Sequence, residues 1–179
     1  MLHKGTVVLE SDRLILRRIR KDDALEIFNG FINQEEFLYW ANKKKRTFEE
    51  EVKSLEGIDN KYLNLDYYNW IITLKDNGAI IGSINLRVED INETVEFNYV
   101  IDNRYTKKGY MTEALLLVKD FCLNEINVNR FQGGCCIENI ASKKVMEKCG
   151  MFHEGILRNY IILEDGYHDM HMFSIVNKK

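Results

Sequence analysis

The segment Asn103-Arg104-Tyr105-Thr106-Lys107-Lys108-Gly109-Tyr110-Met111-Thr112-Glu113-Ala114 lies between a strand-like run at 95–101 and a helix-like run at 112–126. It constrains the fold strongly, because a polar, glycine-containing turn that feeds a helix straight from a strand fixes the end of one element and the start of the next. The first turn of a helix leaves backbone N–H groups without partners, and the macrodipole adds partial positive charge there. Lys107 and Lys108 bring full charges to the same place, and Gly109 lets the backbone approach a ligand with no Cβ in the way. A second opening, Glu138-Asn139-Ile140-Ala141-Ser142, also follows a strand-like run directly. Two such openings point to an anion-binding site rather than to two ordinary loops.

Periodicity and turn signals fill in the rest. A first strand is expected at 13–19, followed by a helix opened by Lys21, Asp22 and Asp23 and carrying Leu25, Ile27, Phe28 and Phe31. Asn33 with Glu36, and Thr47 with Glu50, fit the capping pattern of a short polar residue followed by Glu. The second pair opens a helix through Val52 and Leu55 that fades near Gly57. Strands at 67–74 and 79–88 flank the hairpin signal Asp76-Asn77-Gly78, and a turn at 90–93 leads to a strand ending at Ile101. The helix at 112–126 places Ala114, Leu117, Val118, Phe121 and Cys122 on one face. A strand at 130–137, a helix at 139–149 stopped by Gly150, and strands at 152–163 and 167–176 joined at Glu164-Asp165-Gly166 complete the order. With no repeat or linker, 1–179 reads as one mixed α+β domain.

Composition narrows the partners. A formal charge of -3 and a pI near 5.9 argue against general nucleic-acid binding. No apolar run approaches the ~20 residues needed to cross a bilayer, and 1–10 lack a secretory h-region. Cys122, Cys135, Cys136 and Cys149 lack Cys-x-x-Cys spacing and are expected as buried, reduced thiols of a cytoplasmic protein. Cys135 and Cys136 should face opposite sides of their strand. His168 and His171, three apart on a strand, are poor joint metal ligands, so no metal is expected. Lys43-Lys44-Lys45-Arg46 reads first as a solvated run, with contact to an acidic substrate or to an adenosine 3′-phosphate as the alternative.

The element order, together with Thr106-Lys107-Lys108-Gly109-Tyr110-Met111-Thr112-Glu113-Ala114, resembles the GNAT superfamily of acetyl-CoA-dependent N-acetyltransferases. Further segments are similar to its RimJ/RimL-like branch, the ribosomal-protein N-terminal acetyltransferases and their relatives. They include Leu9-Glu10-Ser11-Asp12-Arg13-Leu14-Ile15-Leu16-Arg17, Ile80-Ile81-Gly82-Ser83-Ile84, Asn129-Arg130, 139–151 and Glu154-Gly155-Ile156-Leu157-Arg158. The resemblance implies one twisted, mostly antiparallel sheet of about seven strands with a splayed parallel pair, flanked by helices. It also implies acetyl-CoA as cosubstrate and a primary amine as acceptor. A protein N-terminus stands as that acceptor beside polyamine, aminoglycoside and amino-acid alternatives, with a non-catalytic acyl-CoA-binding module as the rival. A homodimer is left open. The family's phosphate loop departs here at Thr106, where Arg or Gln is usual, and at Met111, where Gly or Ala is usual.

By resemblance, the pyrophosphate would rest on the N–H groups of Lys107, Lys108, Gly109, Tyr110, Met111 and Thr112, a use that suits a helix N-terminus. Backbone groups near Val100 and Ile101 would pair with the pantetheine amides, as an added strand does, and could polarise the thioester carbonyl. Asn139 would hydrogen-bond the pantetheine while serving as an N-cap. Glu96 would relay the ammonium proton through water, against the plainer reading of a solvated strand glutamate. Ser142 would protonate the departing thiolate, against that of a first-turn serine bonding locally, with Tyr99 and Tyr110 as alternative acids.

Overall fold

The computed structural model describes residues 1–177. Eight strands form one sheet: β1 (Leu9–Glu10), β2 (Leu14–Arg18), β3 (Tyr68–Leu74), β4 (Ile80–Glu89), β5 (Thr94–Ile101), β6 (Arg130–Cys136), β7 (Phe152–Leu163) and β8 (Gly166–Val176). Their order is β1-β2-β3-β4-β5-β6-β8-β7. Every pairing is antiparallel except β5–β6. The eighth strand is the two-residue β1, too short to show alternation in the sequence.

Helices cover both faces. On one side lie α1 (Ala24–Gly30), α2 (Glu35–Trp40), α3 (Phe48–Ser54) and α4 (Ile58–Lys61); α5 (Tyr110–Asp120) and α6 (Ile140–Lys148) lie on the other. The strand β3 is buried on both faces. Tyr68, Trp70 and Ile72 pack in the core beneath α5, and Ile71 packs in the smaller core under α1, α3 and α4. Continuous burial of this kind explains why Tyr-Asn-Trp-Ile-Ile-Thr-Leu alternates so little in polarity. Trp70, 0% exposed, still satisfies its indole N–H, which donates to the Val7 carbonyl at 2.7 Å.

Local chemistry sets the boundaries. Thr47 and Glu50 form the expected capping box: the Glu50 N–H donates to Thr47 Oγ1 at 3.2 Å and the Thr47 N–H to Glu50 Oε2 at 2.8 Å. The Asn33/Glu36 expectation fails. Asn33 instead exchanges two hydrogen bonds with the Arg46 backbone, and Gln34 takes the N-cap position of α2. Leu25 is 56% exposed, since α1 buries Ala24, Ile27 and Gly30. On α5 the fully buried face runs through Met111, Ala114, Leu115 and Val118, with Leu117 only partly covered. The helical run then continues as a π-helical turn, Phe121–Glu125, which keeps Phe121 and Cys122 in the core. Gly150, at φ 74°, supplies the left-handed stop after α6.

All four cysteines are buried and unpaired. Burial pushes the Cys135 thiol up to about 12 and the Cys149 thiol up to about 11, so both are protonated at neutral pH. No helix among the described residues is long and apolar enough to cross a membrane.

Candidate active site

The site begins where two strands part. The strands β5 and β6 pair only from Thr94–Arg130 to Glu96–Gln132. Immediately beyond, the Phe97 ring lies on Gly133, where a Cβ would come within 2.4 Å of it, and stacks against Phe131 at 4.8 Å between centroids. The splay opens two adjoining cavities, of about 830 and 860 Å³.

The first cavity is a cleft between β5, the 102–112 turn and α6. Val100, Ile101, Lys107, Gly109, Tyr110, Met111, Thr112 and Asn139 all line it. Lys108 does not; its ammonium lies 5.2 Å from the centre of the Tyr105 ring. Gly109 is the N-cap of α5 at φ 82°, and Lys107 has φ 60°. Left-handed residues at these two positions make a tight turn directly before the helix, the kind of backbone from which anion-binding nests are built. Among the described residues no side chain caps α5, so the N–H groups of its first turn, on residues that line the cleft, have no side-chain partner. The glycine is required by its φ rather than by crowding, because a Cβ there would meet only Arg13 Nη2, at 3.6 Å.

The two departures from the family's loop pattern find a physical account here. The Met111 side chain is 4% exposed and belongs to the core, so its size is kept from the cleft while its backbone remains at the helix opening. The Thr106 hydroxyl donates to the Asn103 carbonyl at 2.9 Å and so tightens the turn itself.

Side chains outside the loop hold its shape. Arg13 donates to the Lys108 carbonyl and to Glu113, and lies 4.5 Å over the Tyr110 ring. Burial pushes the Glu113 carboxyl up, but hydrogen bonds from Ser11 and Arg13 outweigh it and hold the group below the usual carboxylate range. Gln34 ties the loop to the opposite wall: it donates to Asp102 at 3.0 Å and accepts from the Asn103 N–H at 2.9 Å. Asp102, 0% exposed, also accepts from the Arg104 N–H and guanidinium.

The second cavity lies over the sheet face beneath α1–α4. Glu96 lines it at the last position where β5 pairs with β6, and there Gln132 Nε2 donates to its carboxylate at 3.3 Å. The two cavities share Phe37, Trp40, Tyr99, Val100, Asn139 and Ser142. At this junction Asn139 Oδ1 accepts from the Ser142 N–H at 3.0 Å, as an N-cap should, which leaves its Nδ2 free of protein partners among the described residues. The Tyr99 hydroxyl lies 3.4 Å from the Ser142 carbonyl oxygen, and burial pushes its phenol well up, so it stays protonated. Tyr110 lines only the first cleft.

A clamp ties the α2 region to the β7–β8 hairpin beside the second cavity. Tyr39 donates to both Asp165 oxygens at 3.1 Å, His168 lies 2.9 Å from Asp165 and 3.4 Å from Glu138, and Asn42 donates to the Ile162 carbonyl. The Asp165 hydrogen bond outweighs desolvation and raises the His168 imidazole. His171 turns elsewhere, to His153 at 2.9 Å, so the two β8 histidines do not converge. Among the described residues no group of three His, Cys, Asp or Glu side chains is arranged to hold a metal. Between the Leu157–Met170 and Ile161–His168 pairs, β7 has three residues where β8 has one, and Tyr160 in that bulge lines the cavity. Phe37, Trp40 and Tyr160 carry no signal in the sequence by themselves, and Ser11, Arg13 and Glu113 stand in two separate segments of the resemblance with nothing to join them. Spacing along the chain cannot show that they meet.

A cleft at an uncapped helix N-terminus, joined to a second cavity at a splayed parallel pair, has the form of a two-substrate site with a place for an anionic cosubstrate. Residues 13–152 match the acetyltransferase (GNAT) domain family, and the chain belongs to it. It is an acetyltransferase that uses acetyl-CoA. Among curated relatives, the uncharacterized N-acetyltransferase YoaA of Bacillus subtilis is 27% identical over 96% of this chain and 98% of that one. The ribosomal-protein-serine acetyltransferase of Escherichia coli is 26% identical over 70% of each chain, in keeping with the RimJ/RimL-like branch. Among solved structures, a GNAT-family acetyltransferase from Bacillus anthracis superposes with a TM-score of 0.84 at 21% identity, covering 97% of this chain and 100% of that one. The microcin C7 self-immunity acetyltransferase MccE, solved with acetyl-CoA and AMP, gives 0.80 at 22% identity, covering 93% of each.

Proposed function

We propose that the enzyme transfers the acetyl group of acetyl-CoA directly to a primary amine, and that the amine is a peptide N-terminus. The observation that carries this reading is the meeting of two cavities at Tyr99 and Ser142, which lets two substrates react without a covalent relay through the protein. The phosphates rest on the opening of α5, with Lys107, Lys144 and Lys148 around them, and the pantetheine arm runs along Val100 and Ile101 with Asn139 Nδ2 as a donor. The amine comes from the second cavity, where Glu96 takes up its proton through water. A carbon–nitrogen bond forms as the carbon–sulfur bond breaks, and Ser142 or its neighbour Tyr99 returns a proton to the leaving thiolate. Positioning and carbonyl polarisation by β5 backbone N–H groups supply most of the rate. The ribosomal-protein relative supports a peptide acceptor.

The test is thiol release against a panel of amines and N-terminal peptides, with rapid mixing. One thiol per acetylated product and no burst are expected. A burst of thiol before product would mean an acyl-enzyme and would sink direct transfer.

A further inference from the structure

Three asparagines, Asn69 on β3, Asn85 on β4 and Asn98 on β5, are paired side by side in the sheet and line the second cavity. Neighbouring strands lie ~4.8 Å apart, so the carboxamides form a row roughly 10 Å long across the cavity floor. Asn69 Nδ2 donates to the Tyr67 hydroxyl at 3.2 Å, while Asn85 and Asn98 make no side-chain hydrogen bond among the described residues. Each carboxamide can donate and accept, which suits the alternating N–H and C=O groups of an extended peptide. Glu96 lies two residues from Asn98 on the same face of β5.

The charges of the cavity are lopsided. Lys43, Lys44, Arg46 and Lys61 line it, against Glu51 and Glu96. Arg46 is answered by the buried Glu51 at 3.0 Å. Among the described residues the side chains of Lys43, Lys44 and Lys61 make no ion pair or hydrogen bond, and Lys43 has only the face of the Phe37 ring 5.5 Å from its ammonium, although the chain as a whole carries a charge of -3. Burial, with repulsion from Arg46, lowers the Lys43 ammonium, and the attraction of Glu51 offsets this only in part. A polyamine or aminoglycoside would meet three cations without carboxylate ion pairs on its way to Glu96; an acceptor with carboxylates would be drawn in.

We infer that the acceptor is an acidic peptide: its α-amine lies near Glu96, its backbone crosses the asparagine row, and its carboxylates are answered by Lys43, Lys44 and Lys61. The inference rests on the amine-acetylation reading above and narrows its substrate class.

Bisubstrate conjugates test it without relying on turnover. Coenzyme A is joined through its sulfur and an acetyl bridge to the α-amine of short acidic, neutral-amide and basic peptides, and of free glutamate, and each conjugate is titrated by calorimetry beside coenzyme A alone. The acidic peptide conjugate should bind about tenfold more tightly than the neutral one, with the difference shrinking in high salt and the basic conjugate weakest. The double variant K43E/K61E, shown folded by circular dichroism, should reverse that order and leave coenzyme A affinity unchanged. Equal affinities for the acidic and neutral conjugates overturn the inference. A loss of coenzyme A affinity in the double variant overturns it too, and assigns the lysines to the cosubstrate's phosphates. A glutamate conjugate as tight as the acidic peptide rejects the peptide in favour of a small acidic amine. Failure of coenzyme A itself to bind removes the acetyl-transfer reading and this inference with it.

Discussion

Gly109 can be separated from the rest of the cosubstrate cleft by a matched pair of substitutions. At φ 82° it holds a left-handed conformation, and an alanine Cβ there would touch only Arg13 Nη2 at an ordinary 3.6 Å. The cost of Gly109→Ala is therefore conformational: roughly 1–2 kcal/mol for a left-handed residue with a Cβ. In a chain of this length each kcal/mol moves Tm by about 2–4 °C, so a drop of roughly 2–8 °C is expected. Gly78, at φ 73° in the β3–β4 turn with nothing within 4 Å of its Cβ position, should cost the same when changed to alanine. The two differ in what the strain can do. At Gly109 the backbone can relieve it by rotating the peptide that carries the Tyr110 N–H, removing one donor from the phosphate nest. A charge-assisted hydrogen bond contributes ~1.5–3 kcal/mol, equivalent to a roughly 10- to 150-fold weaker acetyl-CoA Kd. Calorimetric titration of both variants, with thermal melts, is the assay. Gly78→Ala should melt lower and bind normally, and Gly109→Ala should lose both stability and affinity. If both melt alike and both bind within twofold of the parent protein, the first turn of α5 does not hold the phosphates.

Further perturbations separate the remaining roles. Ser142→Ala should lower kcat by ~10²–10⁴-fold with little change in acetyl-CoA affinity; an effect of only a few-fold, beside a larger one in Tyr99→Phe, would move the proton to the tyrosine. Glu96→Gln should shift the alkaline-rising limb of kcat/KM toward the acceptor amine's own pKa, measured with an amine whose pKa lies above the assay range; superimposable profiles would return Glu96 to an ordinary strand role. Gly133→Ala drives a Cβ to within 2.4 Å of the Phe97 ring and should cost ~1–3 kcal/mol by overpacking, read as a lower melting temperature; an unchanged melt would mean that Phe97 does not rest on the glycine as described. The His168 imidazole is raised by Asp165, so the stability it contributes is fully present below the unfolded value of about 6.5 and lost as pH rises through the higher folded value. Wild type should therefore melt above His168→Gln near pH 6, with the gap closing in alkali; a gap that widens with pH would refute the clamp.

Much of this protein can be read along the chain because its informative features are local. Lys107, Gly109, Tyr110, Met111, Thr112 and Asn139 lie within two strand-to-helix openings, and the unpartnered amides of a helix start follow from helix geometry alone. The element order is legible for the same reason, since turns and periodicity act over a few residues. Boundaries are less so: the Asn33/Glu36 pattern met the competing Arg46 backbone, and the 112–126 helix gave way to a π-helical turn where the core required Phe121 and Cys122.

Tertiary structure decided what those openings face. Whether Met111 obstructs the cleft depends on its burial in the core, and whether Ser142 or Tyr99 can serve as acid depends on a junction built from α6 and β5. Asn69, Asn85 and Asn98 are unremarkable in sequence and become a row only through the register of three strands. Lys43 and Lys61 share a cavity through the packing of short helices over one face of the sheet. Backbone chemistry is written residue by residue, so the cosubstrate side was open to reading; acceptor chemistry arises from side chains distant in the chain, and only folding sets them together.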